Sequence, residues 1–115
     1  MVHMVYHMCP AEAWEEATRT GAYHGTADDH RDGFIHFSAA EQIIESARRH
    51  RAGQSGLVLV AVEDVRLGCR LRWEPSRGGE LFPHLYGPLD PADAASVRPL
   101  PLDPDGNHVF PPLES

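Results

Sequence analysis

The sequence predicts an α+β fold in which two principal helices pack against a compact mixed β-sheet. Three observations support this class. Apolar segments of strand length occur in both halves of the chain, two amphipathic segments of helix length lie among them, and no internal repeat or linker interrupts the order. The 115 residues, 42% of them hydrophobic, suffice for one modest core, so residues 1–115 are predicted to form a single domain.

The first part of the chain contains a strand, a helix and a loop signal. Residues 2–8 alternate loosely between apolar and polar side chains, which predicts a strand. Pro10 fits the first position of a helix that ends at Gly21, with Trp14 on its buried face. Residues 21–32 are rich in glycine, acids and histidine, and they predict a loop that covers a pocket.

A second helix is predicted after a short strand at residues 34–37. Ser38 and Glu41 stand three residues apart at its start, which is the spacing of a capping box, so Ser38 is the predicted N-cap. The predicted buried face of this helix consists of Ile43, Ile44 and Ala47.

The second half of the chain is dominated by strand signals. Residues 57–62 are apolar nearly throughout, which predicts a central strand that is buried on both faces. Further strands are predicted at residues 71–74, 82–86 and 97–102. The prolines that follow Gly87 indicate turns and an irregular tail.

Charge and cysteine content narrow the functional classes. Seventeen acidic residues against ten basic ones give a net charge of -7, which disfavours binding to nucleic acid or an anionic membrane through bulk electrostatics. All the basic residues are arginine, so no lysine is present to form a Schiff base. Cys9 and Cys69 lack CxxC spacing, and no segment resembles a signal peptide or a membrane span, so we expect a cytoplasmic protein with reduced thiols.

Three histidines in predicted strands are candidate site residues, namely His7, His36 and His84. His36 and Ser38 lie two residues apart, so on one strand their side chains point to the same face. His84 and Tyr86 repeat this spacing. Imidazoles with a hydroxyl and a phenol suit a ligand that is rich in hydroxyl groups.

The carboxylates nearest these histidines are Glu74 and Glu80. A carboxylate beside a sugar can stabilise positive charge at the anomeric carbon, which is the chemistry of ribosyl transfer. Three imidazoles and one carboxylate could also hold zinc or iron. Because the sequence contains no HxH or HExxH string, no metal is expected.

Four strings, in this order, carry a family resemblance: VYH at residues 5–7, GFIHFS at 33–38, LRWE at 71–74 and FPHLYG at 82–87. They resemble the domain-of-unknown-function 952 family of uncharacterised bacterial proteins over nearly the whole chain. That family is similar to a minimal ADP-ribosyltransferase fold, a split mixed sheet whose central cleft binds NAD in its better-known members. The resemblance therefore implies a nucleotide-binding cleft.

The resemblance also implies roles for individual residues. The catalytic candidates are Glu74, His36 and His84, with Glu80 competing for the role of the carboxylate. Contacts to the bound nucleotide are expected from His7, Ser38, Tyr23, Arg72, Phe82 and Tyr86. The implied activity is that of an NAD-dependent ADP-ribosyl transferase or glycohydrolase with a small nucleotide as its partner; the alternative is a non-catalytic nucleotide sensor.

Overall fold

The computed structural model describes residues 2–115, apart from the side chain of Arg77. The strands in this range are β1 (Met4–Pro10), β2 (Ile35–His36), β3 (Ser38–Ala39), β4 (Leu57–Glu63), β5 (Leu71–Pro75), β6 (Leu81–Leu85) and β7 (Ala94–Leu100). The α-helices are α1 (Ala11–Thr20), α2 (Ala27–Asp32), α3 (Ala40–His50) and α4 (Asp64–Leu67). No helix in the described range is long and apolar enough to cross a membrane.

The strands form two separate sheets, which confirms the α+β class and the split. The first sheet has the order β3-β1-β4-β7 and the second has the order β2-β6-β5. Sequence reasoning predicts mixed sheets, but the strand pairs in the described part of the chain are all antiparallel. Neighbours β5 and β6, for example, are joined by residues 76–80 alone, a connection too short for the crossover that parallel strands require.

Apolar clusters cover both faces of the first sheet. On one face, Val5, Val60 and Val62 pack with Trp14 of α1 and with residues of the second sheet. On the other face, residues of β1 and β4 pack against α3 and the C-terminal tail. Strand β4 lies between β1 and β7, as predicted for a central strand, and its coverage on both faces explains its nearly continuous apolar sequence.

The start of the chain differs from prediction in two places. Pro10 is the N-cap of α1 rather than its first helical residue, and its extended ψ of 142° lets it also end β1. The predicted loop at residues 21–32 contains α2, which begins with a capping box between Thr26 and Asp29. This helix escapes sequence reasoning because its box carries aspartate where the usual signature has Glu or Gln. Gly21 ends α1 in the left-handed conformation, as predicted, with a φ of 94°.

Helix α3 begins one residue later than predicted. Its N-cap is Ala39, so Ser38 is not the cap. Ser38 instead pairs with Tyr6 in the first sheet, and its hydroxyl lies 2.9 Å from the Ser46 hydroxyl. The helix is also rotated relative to prediction, since Ile44 is 46% exposed. Two polar side chains of α3, those of Gln42 and Ser46, are buried with hydrogen-bond partners, which the apolar pattern does not reveal.

Gln42 connects the two sheets. Its Oε1 accepts a hydrogen bond from the Ala39 backbone N–H at 2.9 Å, and its Nε2 donates to the Leu81 carbonyl of β6 at 2.8 Å. A second connection to β6 is the backbone hydrogen bond from Phe37 N–H to the Pro83 carbonyl, at 3.0 Å. These bonds fix the distance between α3 and the second sheet.

We expect the Gln42→Ala substitution to lower the free energy of unfolding by about 2 kcal/mol, because it removes two hydrogen bonds of a buried side chain. Urea denaturation of both proteins measures the difference. Gln54→Ala is the matched control, since the Gln54 side chain is exposed. Equal losses in the two variants would contradict this role of Gln42.

Candidate functional site

A cleft of about 270 Å³ lies between the two sheets. Strand β3 pairs with Val5 and Tyr6 of β1, and the cleft is lined by Tyr6, His7 and Met8 of β1. Five residues predicted from the sequence line it, namely His7, His36, Ser38, Phe82 and His84. The topology therefore brings all three candidate histidines to one cavity.

The other predicted residues lie outside this lining. Tyr23 is buried behind His7, while Arg72, Glu74 and Tyr86 form a group on the second sheet. Glu74 reaches the site through His84, to which it is hydrogen-bonded. The competing carboxylate, Glu80, is exposed and does not line the cleft.

His7 is a buried, neutral imidazole with both nitrogens engaged. Its Nδ1–H donates to the His36 carbonyl and its Nε2 accepts from the Tyr23 hydroxyl, each at 2.6 Å. Burial lowers the pKa of His7, and this outweighs the opposing effect of the Asp29 carboxylate 3.7 Å away. The hydrogen bond between His7 and Tyr23 therefore pairs two buried polar groups and holds the His7 ring in place at the cleft.

Cys9 is buried in the same cluster as Tyr23. Burial raises the pKa of the thiol to about 11 and also raises the pKa of Tyr23. Both groups are therefore protonated at neutral pH. Cys9 and Cys69 are free cysteines in the structure.

Asp29 is the principal site residue that sequence reasoning misses. Its side chain is 2% exposed, and it accepts hydrogen bonds from the Thr26 N–H at 2.7 Å, the His36 N–H at 3.0 Å and the His36 Nδ1–H at 2.5 Å. Burial alone would raise the pKa of Asp29, but the hydrogen bonds from the His36 side chain and from the Thr26 and His36 backbone N–H groups hold it at about 2. Asp29 is an ionised carboxylate that joins α2 to β2.

His36 is held between two carboxylates. Its Nδ1 bonds to Asp29 and its Nε2 lies 2.9 Å from Asp32 Oδ2. Burial works to lower the pKa of His36, yet the two carboxylates outweigh burial and raise it. The arrangement favours the imidazolium form and leaves neither ring nitrogen available as a base.

His84 differs from the other two histidines because one of its nitrogens is available. Its Nδ1 lies 2.8 Å from Glu74 Oε1, and the same oxygen accepts from the Tyr86 hydroxyl at 2.7 Å. Phe34 stacks on its ring with the centroids 3.9 Å apart. The Nε2 of His84 makes no hydrogen bond within the described part of the chain, so the ring edge opposite Glu74 is free to meet a ligand.

The hydrogen bond from His84, and secondly that from Tyr86, lowers the pKa of Glu74. The Glu74 carboxylate in turn raises the pKa of Tyr86. An ionised Glu74 stabilises the tautomer of His84 that carries its proton on Nδ1. The unprotonated Nε2 is then a hydrogen-bond acceptor and a potential base. The spacing of two between His84 and Tyr86 does place both side chains beside one carboxylate.

No group of three or more His, Cys, Asp or Glu side chains in the described range is arranged to hold a metal ion. The carboxylates that line the cleft, Asp28, Asp29 and Asp32, come from α2 and pair with arginine or histidine. One sequence signal could have identified Asp29, because Thr26 precedes it at the spacing of a capping box.

The fold and site define a class: small α+β proteins with a histidine-lined cleft between two antiparallel sheets. A family model described as protein of unknown function, DUF952, matches residues 8–97. The chain belongs to this family, which confirms the resemblance predicted from its sequence.

Solved structures of one bacterial relative are similar to the chain. The crystal structure of protein CC0527 from Caulobacter crescentus is 44% identical, with a TM-score of 0.89 over 92% of this chain and 93% of that one. The solution NMR structure of CC0527 is 45% identical, with a TM-score of 0.82 over 90% of each chain. A search of curated protein sequences finds no match.

Proposed function

We propose that the cleft binds NAD or a related nucleotide and that the protein transfers or hydrolyses its ADP-ribosyl group. The observation that supports this most strongly is the Glu74–His84 pair, with His84 on the cleft wall and its Nε2 available. An imidazole oriented by a carboxylate is suited to general base catalysis. The ADP-ribosyltransferase-like fold stays a prediction.

In the proposed reaction, the glycosidic C–N bond of NAD breaks and nicotinamide leaves with its electron pair. The oxygen of water or of an acceptor hydroxyl bonds to the anomeric carbon, and its proton passes to Nε2 of His84. Glu74 stabilises the imidazolium that forms. Glu74 is thus a positioning residue, one hydrogen bond further from the ribose than sequence reasoning suggests.

The size and lining of the cleft fit half of a dinucleotide. Its volume of about 270 Å³ is near the lower limit for small-molecule sites. The Ser38 hydroxyl offers a partner for ribose, and Phe82 supplies an apolar wall for a base. We therefore place the reacting ribose inside the cleft and the rest of the nucleotide at its mouth.

Incubation of the purified protein with NAD tests the proposal, with nicotinamide release followed beside binding calorimetry. We expect saturable binding and release of nicotinamide above the rate of a heat-denatured sample. If the protein neither binds NAD nor releases nicotinamide, the proposed function is wrong. Because NAD is an intracellular metabolite, the same proposal places the protein in the cytoplasm, with a nucleotide rather than a nucleic acid or membrane as its partner.

One observation favours a non-catalytic nucleotide sensor as a second candidate. Glu74 does not line the cleft, and both ring nitrogens of His7 and His36 are engaged by protein groups. The cleft thus offers few groups that can exchange protons. Calorimetric binding of NAD without release of nicotinamide would select the sensor.

A further inference from the structure

Arg51 presents an unused hydrogen-bonding edge at the cleft. It is the C-cap of α3, lines the cleft, and its side chain is 18% exposed. Its Nη1 donates to the His50 carbonyl at 3.0 Å and lies 3.5 Å from Asp28 Oδ2. A guanidinium carries five N–H donors, and the Nε and Nη2 groups of Arg51 make no hydrogen bond within the described part of the chain.

These donors are accessible to a ligand. In the described residues, no fully buried side-chain nitrogen or oxygen lacks a hydrogen-bond partner. The unbonded edge of Arg51 is therefore in contact with open space. A mostly buried arginine with an open edge presents a planar pair of donors at a site where water competes weakly.

The acids of the cleft do not require Arg51. Asp28 is 3.1 Å from Arg31, while Asp29 and Asp32 both bond to His36. The contact between Asp28 and Arg51, at 3.5 Å, is at the outer limit of a hydrogen bond. An anionic ligand can therefore bind the Arg51 guanidinium while each of these three carboxylates keeps another partner.

We infer that Arg51 binds a phosphate group of the ligand through Nε and Nη2, so that the site selects a nucleotide or dinucleotide over a nucleoside. The fork of an arginine matches two phosphate oxygens, a geometry that lysine or histidine does not reproduce. That the nucleotide is NAD rests on the proposed function. The anion site itself rests on the contacts of Arg51.

Calorimetry with NAD and with nicotinamide riboside, which has the same reactive half and no phosphate, tests this inference. We expect Arg51→Gln to weaken NAD binding by about 10- to 100-fold, as for the loss of a charge-assisted hydrogen bond, and to leave riboside binding unchanged. Arg49→Gln is the control, because Arg49 is 55% exposed on the same helix and pairs with Glu45. Unchanged NAD binding in Arg51→Gln, or equal losses for both ligands, would overturn the inference.

Inorganic pyrophosphate separates this inference from the proposed function. We expect pyrophosphate to raise the melting temperature of the wild type and of Arg49→Gln, and to have no effect on Arg51→Gln. If pyrophosphate shifts the melting temperature in this way but NAD does not bind, the anion site is supported and the proposed function fails. If pyrophosphate does not raise the melting temperature of the wild type, the anion site is overturned. Arg51→Lys, which keeps the positive charge but not the planar fork of donors, serves if Arg51→Gln does not fold, and its expected affinity for pyrophosphate is below that of the wild type.

Discussion

Replacing Asp29 with asparagine is expected to lower the free energy of unfolding by about 3 kcal/mol at pH 7. The carboxylate accepts three hydrogen bonds, two of them from His36, and it is almost completely buried. An asparagine has the same shape but only one acceptor oxygen, and it leaves the charged His36 without its buried partner. Urea denaturation measures the loss, and Asp105→Asn, at an exposed position, is the control of equal charge change.

The effect of Asp29→Asn should depend on pH in a defined direction. The pKa of Asp29 falls from 3.8 to about 2 on folding, so its contribution is complete above the unfolded pKa and is lost as the pH falls through the folded one. The stability difference between wild type and variant should therefore shrink between about pH 5 and pH 2. A difference that stays constant over this range would show that the Asp29 charge does not stabilise the fold.

Replacing Glu74 with glutamine is expected to lower the rate of nicotinamide release by about 10²- to 10⁴-fold, with NAD affinity nearly unchanged. A glutamine can present its amide NH₂ to Nδ1 of His84, which then carries its proton on Nε2 and is no longer a base toward the cleft. Ligand contacts are preserved because Glu74 does not line the cleft.

The control for Glu74→Gln is Glu80→Gln, which changes an exposed carboxylate outside the cleft and should leave the rate unchanged. A positioning role also predicts that Glu74→Gln changes the pH profile of the rate, since the base itself is altered. Retained turnover with an unaltered pH profile would remove the Glu74–His84 pair from the mechanism.

Much of the fold could be predicted because the strongest patterns are local. The continuous apolar run of β4 requires burial on both faces, and Gly21 ends α1 at a position that needs a positive φ. Strand pairing is not local, so the sequence patterns predict a mixed sheet, whereas the strand pairs in the described residues are all antiparallel. The burial of Gln42 rather than Ile44 on α3 likewise involves a partner, Leu81, that is distant in sequence.

The residues of the candidate site also divide into those that local patterns predict and those that they do not. Strand patterns place His7, His36 and His84 in extended segments, and the fold brings them to one cleft. Asp29 and Arg51 are absent from the predicted site because Asp29 lies in a segment predicted as a loop and Arg51 resembles an ordinary basic residue at the end of a helix. Their site contacts depend on how α2 and α3 pack against the sheets, which no local pattern specifies.

Between β2 and β3 the chain passes from the second sheet to the first through a single residue. Phe37 separates β2 from β3, and its N–H bonds to the Pro83 carbonyl of the second sheet. At this crossing the two walls of the cleft are therefore joined covalently by one residue, without an intervening loop. We therefore expect a ligand to meet walls whose spacing is set before it arrives, with a small loss of conformational entropy on binding and with selectivity that comes from a preformed shape.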